Sequence, residues 1–382
     1  MKSFRTLKVL AAASLVCTVL VGGPSANATC IGGWTHGVLD PVPGITSMQG
    51  YYGVAMIGAN DGWIAGAGED YKGSVPALQR LTPSGWAPFD APVLGDSTRY
   101  FGADGLASND VWVVGDAYQY PNSNYALAMH WDGATWTSQF ALGGGSPTFR
   151  DVVMTASDDV WASGRNFEGV QQDQERALIG HWDGASWTKA ELPVPASGSQ
   201  PSLWGIDATG PNDVWSVGRA WTGSGNKTYV VHWNGAQWSE VPSPNTGSDY
   251  NSFQDVVAIA PNDAWAVGQS SSSSGGYEKT LIAHWDGSTW SQVPSPNPGN
   301  RGNSLMAIAS SGDRLFAVGY TRSKSKRGGS LILERKGGEW RVITPPPRGE
   351  YETLTAIDGM ASGAGFVAAG YSSQGDIVKS TC

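Results

Sequence analysis

Short apolar runs recur along the chain, and each is bounded by glycine, proline, aspartate or asparagine. The runs 281–283 and 290–293 flank the pair Asp286-Gly287, and such a pair between apolar runs is a strong β-hairpin signal. Pro-rich corners such as 242–245 end several runs, since proline cannot donate a hydrogen bond to a strand ladder. Nothing in this pattern is typical of a helix, so the sequence predicts an all-β protein.

A six-residue segment, Asp-x-Trp-x-x-Gly, repeats along the chain. Its copies are 61–66, 110–115, 159–164, 213–218 and 263–268, and degenerate copies end at Gly319 and Gly370. The seven glycines are 49, 49, 54, 50, 51 and 51 residues apart, a period suited to a four-stranded propeller blade. The repeat predicts a seven-bladed β-propeller of four-stranded antiparallel blades.

A second motif, His-Trp-Asp-Gly-x-x-Trp, follows four of these copies. It occupies residues 130–136, 181–187, 232–238 (with Asn replacing Asp) and 284–290, and it predicts the third strand, a tight turn and the outer strand of a blade. After Gly370 the chain has room for a third strand only, whereas Trp34 and the following Pro41 and Pro43 match the outer strands elsewhere. The N-terminal strand is therefore predicted to close the ring in the last blade.

The N-terminal residues have the pattern of an export signal. Lys2, Arg5 and Lys8 precede an apolar run, and Ala26-Asn27-Ala28 resembles a cleavage site. We expect residues 1–28 to be a signal peptide cleaved after Ala28, residues 29–382 to form the single propeller domain, and the protein to be secreted. No later stretch approaches the roughly 18 apolar residues of a membrane span.

Two of the three cysteines, Cys30 and Cys382, would remain after cleavage. Aligned with the repeat, both fall on the same interrupted turn of the last blade. An oxidising compartment permits them to pair, so we predict a Cys30–Cys382 disulfide, with two unpaired terminal thiols as the alternative.

The net charge limits the partners. The chain carries 24 Lys and Arg against 33 Asp and Glu, a formal charge of −9 that becomes −12 without the three basic residues of the signal. This argues against nucleic acid or an anionic membrane surface as the main partner. A neutral or cationic target is expected.

Most aromatic and histidine side chains follow the repeat, which favours structural roles. Sixteen of the eighteen tryptophans occupy repeat positions, where packing between sheets explains them. His130, His181, His232 and His284 also recur at one position, and a ring would hold them too far apart to share a metal. No metal or cofactor is expected.

The exceptions to the repeat give the candidate binding site. Trp204 and Trp221 lie outside the tryptophan register. Trp204 opens the first strand of the fourth predicted blade, and Trp221 falls in the predicted loop between its second and third strands. Tyr52, Phe101, Arg150 and Gln254 occupy the position equivalent to Trp204, at the predicted mouth of the central channel. Aromatic faces can stack on a sugar ring while arginine and glutamine donate directed hydrogen bonds, although ordinary side chains plugging the channel remain an alternative.

Motifs for catalysis are lacking. No G-x-S-x-G, H-E-x-x-H, phosphate loop, Cys-x-x-Cys or calcium loop occurs in the sequence. Five aspartates on the first strands could converge on the channel as an active site, but they partly share a repeat register, which favours structural roles; they are Asp104, Asp151, Asp207, Asp255 and Asp358. The basic segment 322–327 is interpreted as a solvated loop, with an anion contact as the alternative.

The two motifs carry resemblances to known propellers. The Trp-Asp-Gly-x-x-Trp turn resembles the Asp-box of bacterial-neuraminidase-type repeats, and the Asp-x-Trp-x-x-Gly strand resembles kelch and galactose-oxidase-like propellers. The chain lacks the arginine triad and the copper ligand set of those enzymes. A signal peptide followed by one such propeller also resembles the lectin-type subunits of secreted umbrella-shaped toxin particles, which implies recognition of a target-cell surface.

The leading hypothesis is a secreted, non-enzymatic, lectin-like module that binds a cell-surface carbohydrate or wall polymer, and one version of it makes the protein the targeting subunit of a secreted complex. One alternative is a propeller lyase or glycoside hydrolase, for which channel carboxylates with raised pKa values would be expected. Another is a protein-interaction scaffold with a flat apolar face.

Overall fold

A computed structural model describes residues 34–121, 123–168, 174–195, 200–272, 276–323, 328–343, 352–360, 365–372 and 375–381. Residues 1–28, expected to be the signal peptide, and the two cysteines of the predicted disulfide, Cys30 and Cys382, lie outside these ranges. The described residues form twenty-eight β-strands and no helix, so they contain no helical segment able to cross a membrane. The all-β prediction is confirmed.

The strands are short and closely spaced. The first fourteen are β1 (Trp34–Val38), β2 (Ser47–Gly58), β3 (Asp61–Glu69), β4 (Ser74–Thr82), β5 (Gly85–Phe89), β6 (Ser97–Ala107), β7 (Asp110–Gln119), β8 (Ser123–Trp131), β9 (Trp136–Gly143), β10 (Thr148–Ala156), β11 (Asp159–Glu168), β12 (Gln174–Trp182), β13 (Trp187–Lys189) and β14 (Gln200–Gly210). The others are β15 (Asp213–Trp221), β16 (Asn226–Trp233), β17 (Trp238–Glu240), β18 (Tyr250–Ala260), β19 (Asp263–Ser271), β20 (Lys279–Trp285), β21 (Trp290–Val293), β22 (Gly302–Ser311), β23 (Arg314–Arg322), β24 (Gly329–Lys336), β25 (Glu339–Ile343), β26 (Thr353–Gly359), β27 (Phe366–Ser372) and β28 (Gly375–Thr381).

Strands that are consecutive in sequence pair into four-stranded antiparallel sheets. Four of the sheets are β2–β5, β6–β9, β10–β13 and β22–β25. The arrays β14–β17 and β18–β21 have the same order and are joined through one parallel pair, Asn226 with Tyr250. In the remaining sheet, β26, β27 and β28 are followed by β1, with Trp34 opposite Thr381. The first and last described strands therefore share a sheet.

The repeated tryptophans pack between neighbouring sheets. Trp63 is fully buried, and its ring centroid lies 5.4 Å from that of Trp131 and 5.1 Å from that of Trp136, both in the next sheet. A histidine on the third strand stacks on such a tryptophan, as His181 does on Trp161 at 3.9 Å, while its Nε2 lies 2.6 Å from Asp159. The same arrangement occurs at His130, His232 and His284.

The glycine that ends each Asp-x-Trp-x-x-Gly segment is required by the first strand of the sheet. A Cβ atom at Gly268 would lie 2.0 Å from the carbonyl oxygen of Ser252, and the other copies show the same close approach. A side chain would therefore push the first two strands apart. This contact explains why glycine recurs at the position.

The turn aspartates accept hydrogen bonds from the backbone of their own turns. In the first complete copy, Asp132 Oδ1 accepts hydrogen bonds from the N–H groups of Ala134 and Thr135 at 2.8 and 2.7 Å, and Gly133 has φ 95°. These backbone donors lower the pKa of Asp132 below its ordinary value. The motif therefore stabilises the turn of the hairpin.

Candidate functional site: a cup at the channel mouth

A β-bulge interrupts the first strand of every sheet at the same place. The register between the first two strands shifts there by one residue, which leaves one residue per sheet outside the ladder. The bulged residues are Tyr52, Phe101, Arg150, Trp204, Gln254, Met306 and Thr355. Because a bulge re-aims a side chain away from the regular alternation, these positions are free to differ from sheet to sheet.

All seven bulged residues line a single cavity of about 230 Å³, which we call the cup. Five of the six residues predicted to bind ligand are thereby brought together, namely Tyr52, Phe101, Arg150, Trp204 and Gln254. Trp221 does not line the cup. It is the last residue of β15, 45% exposed and paired with Gln200 and Asn226, so it lies at the end of a strand and not in the predicted loop.

A second set of residues was missed by the sequence analysis. The residue after each repeated glycine pairs with the residue of the first strand that lies two positions before the bulge, as Arg165 does with Thr148. This places it next to the bulged residue of the same sheet. This rim comprises Ala67, Asp116, Arg165, Arg219, Gln269, Tyr320 and Tyr371. The sequence could have indicated these residues, because this position varies from repeat to repeat while the glycine before it does not.

Guanidinium groups cover the aromatic rings of the cup. The Arg150 Cζ atom lies 4.3 Å from the ring centroid of Phe101 and 5.2 Å from that of Trp204. Arg165 and Arg219 lie 5.3 and 5.7 Å from the same Trp204 ring. These are cation–π distances, so the indole of Trp204 holds arginines in place as well as lining the cavity.

The four arginines of this region differ in their partners. Arg99 forms two hydrogen bonds to Asp116, at 2.9 and 2.6 Å, and Arg165 binds Glu175 at 3.0 Å. Arg219 instead donates to the hydroxyl of Tyr250 at 2.7 Å.

Arg150 has no ion pair with any described residue, and its Nε is buried without a hydrogen-bond partner among them. Burial, with the nearby charge of Arg165 as the next cause, lowers the pKa of Arg150 to about 10, so the group stays charged at neutral pH. Two of the four charges are balanced by carboxylates. This side of the cup is therefore locally cationic in an acidic chain, contrary to the partner charge expected from composition.

The five aspartates predicted to converge on the channel lie on the first strands and connect neighbouring sheets. Each Oδ1 accepts the N–H of the next residue, and each Oδ2 accepts an N–H from a neighbouring sheet. The inter-sheet donors are Met154 to Asp104, Ile206 to Asp151, Ala258 to Asp207, Ile308 to Asp255 and Met56 to Asp358, at 2.7–3.0 Å. Burial raises the pKa to about 7 for Asp151 and Asp358 and to about 8 for Asp207. The raised pKa values match the expectation for an enzyme, whereas the backbone partners match a structural role.

The remaining candidates lie elsewhere. Among the described residues no cluster of histidine, cysteine and carboxylate groups could hold a metal ion. In the basic segment, Arg322 lies 3.7 Å from Glu278 and 5.0 Å from the Tyr320 ring, while residues 324–327 lie outside the described ranges.

Comparison with known proteins identifies the type of fold. No protein-family model matches the chain, and no curated protein matches it. A solved structure, "YCF48 bound to D1 peptide", is similar with a TM-score of 0.55 and 14% identity, covering 94% of this chain and 99% of that one. YCF48 is a β-propeller, and at this identity the likeness concerns the fold alone. The chain has a propeller-type, all-β fold.

Proposed function

We propose that the four-stranded arrays are the seven blades of one propeller and that β1 closes its ring in the last blade. The pairing of β1 with β28 supports this closure. A further contact joins the ends of the chain, because the Met56 N–H donates to Asp358 at 2.7 Å. The inter-sheet aspartate bonds supply the same kind of contact elsewhere in the ring.

We further propose that the protein is exported and works as a non-catalytic, lectin-like binding module whose ligand enters the cup. The observation that carries this proposal is the cup itself: one backbone position, repeated in every sheet, bears seven different side chains that line one cavity. Packing does not dictate these residues, whereas it does dictate the repeated tryptophans and glycines. The YCF48 structure contains a bound peptide, which supports ligand binding by a propeller-type fold and makes a protein partner a second candidate.

The ligand is proposed to be a carbohydrate or wall polymer on a cell surface, with the protein as the targeting subunit of a secreted complex. Export predicts that the secreted form begins at Thr29, which intact mass measurement of the protein in culture fluid would test. A mass that includes residues 1–28 would contradict export by a cleaved signal.

The two tryptophans outside the repeat provide a matched test of the binding site. Trp204 lines the cup and Trp221 does not, so Trp204→Ala should abolish saturable binding on a glycan and wall-polymer array while Trp221→Ala retains it. Both variants are first checked for an unchanged unfolding transition. Loss in Trp221→Ala alone would move the site to the outer loops, and absence of all binding by the parent protein would refute the carbohydrate proposal.

An enzyme acting on polysaccharide is the second candidate, because Asp151 and Asp255 line the cup and burial raises the pKa of both. The proposal of binding without catalysis predicts that bound polysaccharide is recovered uncut. New reducing ends or unsaturated products that disappear in Asp151→Asn would favour the enzyme.

A further inference from the structure

The cup is chemically divided. On its cationic side, contributed by the sheets β6–β9, β10–β13 and β14–β17, Arg150 lines the cavity. Three further arginines lie around it, within 5.3–5.7 Å of the Phe101 or Trp204 ring centroid, namely Arg99, Arg165 and Arg219. Its neutral side carries Gln254, Met306, Thr355 and Tyr52, with Tyr320 and Tyr371 at the rim positions of the same sheets. Asp255 also lines this side, where burial raises its pKa well above the ordinary value and favours the uncharged form. A ligand that fills the cup therefore meets the Arg150 guanidinium on one side and amide, hydroxyl and apolar groups on the other.

Arg150 is the residue that the fold alone does not explain. A cation removed from water is unfavourable unless it is paired, yet Arg150 is partly buried near two aromatic rings, with its Nε unpartnered among the described residues. The neighbouring carboxylates are already used, since Asp116 binds Arg99 and also accepts from Thr148 at 2.9 Å. An anionic ligand in the cup would place a negative charge beside this guanidinium and would bond its Nη groups, since the Nε itself is buried.

The geometry favours a carboxylate. The Arg150 guanidinium lies beside the Phe101 and Trp204 rings, and the planar N–H edge of a guanidinium matches the two oxygens of a carboxylate. Arg219, which donates a hydrogen bond to the neutral hydroxyl of Tyr250, adds positive charge near Arg150.

The opposite side favours a sugar as the carrier of that carboxylate. Gln254 donates through its Nε2 to Ser252 at 3.1 Å, which leaves its amide oxygen to accept from a ligand hydroxyl. The Tyr52 hydroxyl donates to the carbonyl of Gln49 at 3.0 Å and can still accept. Apolar Met306 would contact the C–H face of a ring, and a cavity of about 230 Å³ is smaller than the roughly 300 Å³ at which drug-sized pockets begin, which suits one terminal residue.

We propose that the cup binds the terminal uronic or other carboxylated sugar of an acidic glycan, with the carboxylate on Arg150 and the hydroxyls on the neutral side. This inference rests on the proposed function, because it specifies the ligand of the same cup. It also places an acidic ligand on an acidic protein, so that the contact depends on local charge and not on net charge.

The test uses glucuronate-, galacturonate- and sialate-terminated oligosaccharides, each paired with its methyl ester, in calorimetric titrations of the mature protein. We expect at least one acid to bind tenfold to a hundredfold more tightly than its ester, as estimated for a hydrogen bond to a charged group. Arg150→Gln should lose that difference, and Arg150→Lys should lose most of it, because lysine keeps the charge but not the planar edge. Arg341→Gln, on an outer strand where Arg341 pairs with Glu339, is the matched control and should bind as the parent does.

The outcomes separate this inference from the proposed function. Equal binding of an acid and its ester would overturn the carboxylate assignment and leave the lectin proposal standing. The same conclusion would follow if the parent protein bound neutral sugars and Trp204→Ala lost that binding. Tighter binding of sulfated or phosphorylated sugars would overturn it in favour of another anion. If no glycan binds but peptides with a free C-terminal carboxylate do and their amides do not, both the sugar assignment and the lectin proposal fail.

Discussion

Replacing Arg150 with glutamine should stabilise the free protein while it removes the ligand contact. The chain itself places glutamine at the equivalent bulge in another sheet, Gln254, so the backbone accepts this residue. The change removes a desolvated charge for which the described residues provide no partner. A gain in stability together with a loss of binding is typical of residues kept for function.

The size of the effect follows from two opposing contributions. Burial and the charge of Arg165 lower the pKa of Arg150 from its ordinary value to about 10, which corresponds to an upper figure of about 3 kcal/mol against the charged form in the folded state. Against this, the variant loses contacts with the Phe101 and Trp204 rings worth about 1 kcal/mol each. The expected net gain in the free energy of unfolding is about 1 kcal/mol.

The sign can be checked by pH. A base with a depressed pKa destabilises the folded state at every pH below that value, and the penalty is relieved only as the pH rises through about 10. The gain from Arg150→Gln should therefore be the same at pH 6 and pH 8. Urea unfolding followed by tryptophan fluorescence measures it, with Arg341→Gln as an exposed control expected to lie within about 0.5 kcal/mol of the parent. A loss of 1 kcal/mol or more in Arg150→Gln would mean that the protein itself supplies a partner for the guanidinium, and the ligand argument would fail.

Three further predictions concern the framework. Burial raises the pKa of Asp207 to about 8, well above the roughly 3.9 of an unfolded aspartate, so the free energy of unfolding should fall between pH 4 and pH 8 and fall less in Asp207→Asn; a flat profile for the parent in urea titrations would contradict this. Gly268→Ala should cost at least about 1–3 kcal/mol through overpacking, whereas Gly210→Ala, with no atom within 4 Å of the new Cβ, should cost almost nothing in thermal unfolding; equal costs would refute the close-approach argument. Peptide mapping without reduction should recover Cys30 linked to Cys382, and two alkylated cysteines would exclude the bond.

The sequence alone predicted the strand order and the division into repeats, because both depend on local signals. Asp-Gly pairs mark turns, and a glycine such as Gly268 marks the close approach of two strands. The pairing of β1 with β28 was also foreseen, since the last repeat lacks an outer strand and Trp34 matches the missing one. These features need no knowledge of distant contacts.

The site was predicted in part, and the errors have physical reasons. Trp221 and Trp204 break the same register, but only Trp204 occupies a bulge, and a bulge depends on pairing that the sequence pattern does not reveal. The rim residues were missed because they lie on the second strand, directly after a glycine whose recurrence indicates packing. The charge of the cup was missed because net charge sums the whole surface, whereas binding depends on the few groups near the ligand.

The channel aspartates show why a partial register was ambiguous. Asp151 and Asp255 lie one residue after the bulge, while Asp104, Asp207 and Asp358 lie three residues after it. The sequence could not decide whether this irregularity meant catalysis. In the structure both positions reach an N–H of the neighbouring sheet.

Their alternation has a physical reason of its own. Across four successive sheets the two positions alternate, which places neighbouring buried carboxyls at different levels of the channel. Like carboxyls at one level would raise each other's pKa further. An irregularity in a repeat can thus have a structural role. A residue is assigned to a binding site more securely when, like Arg150, it has an unpartnered polar atom among the described residues.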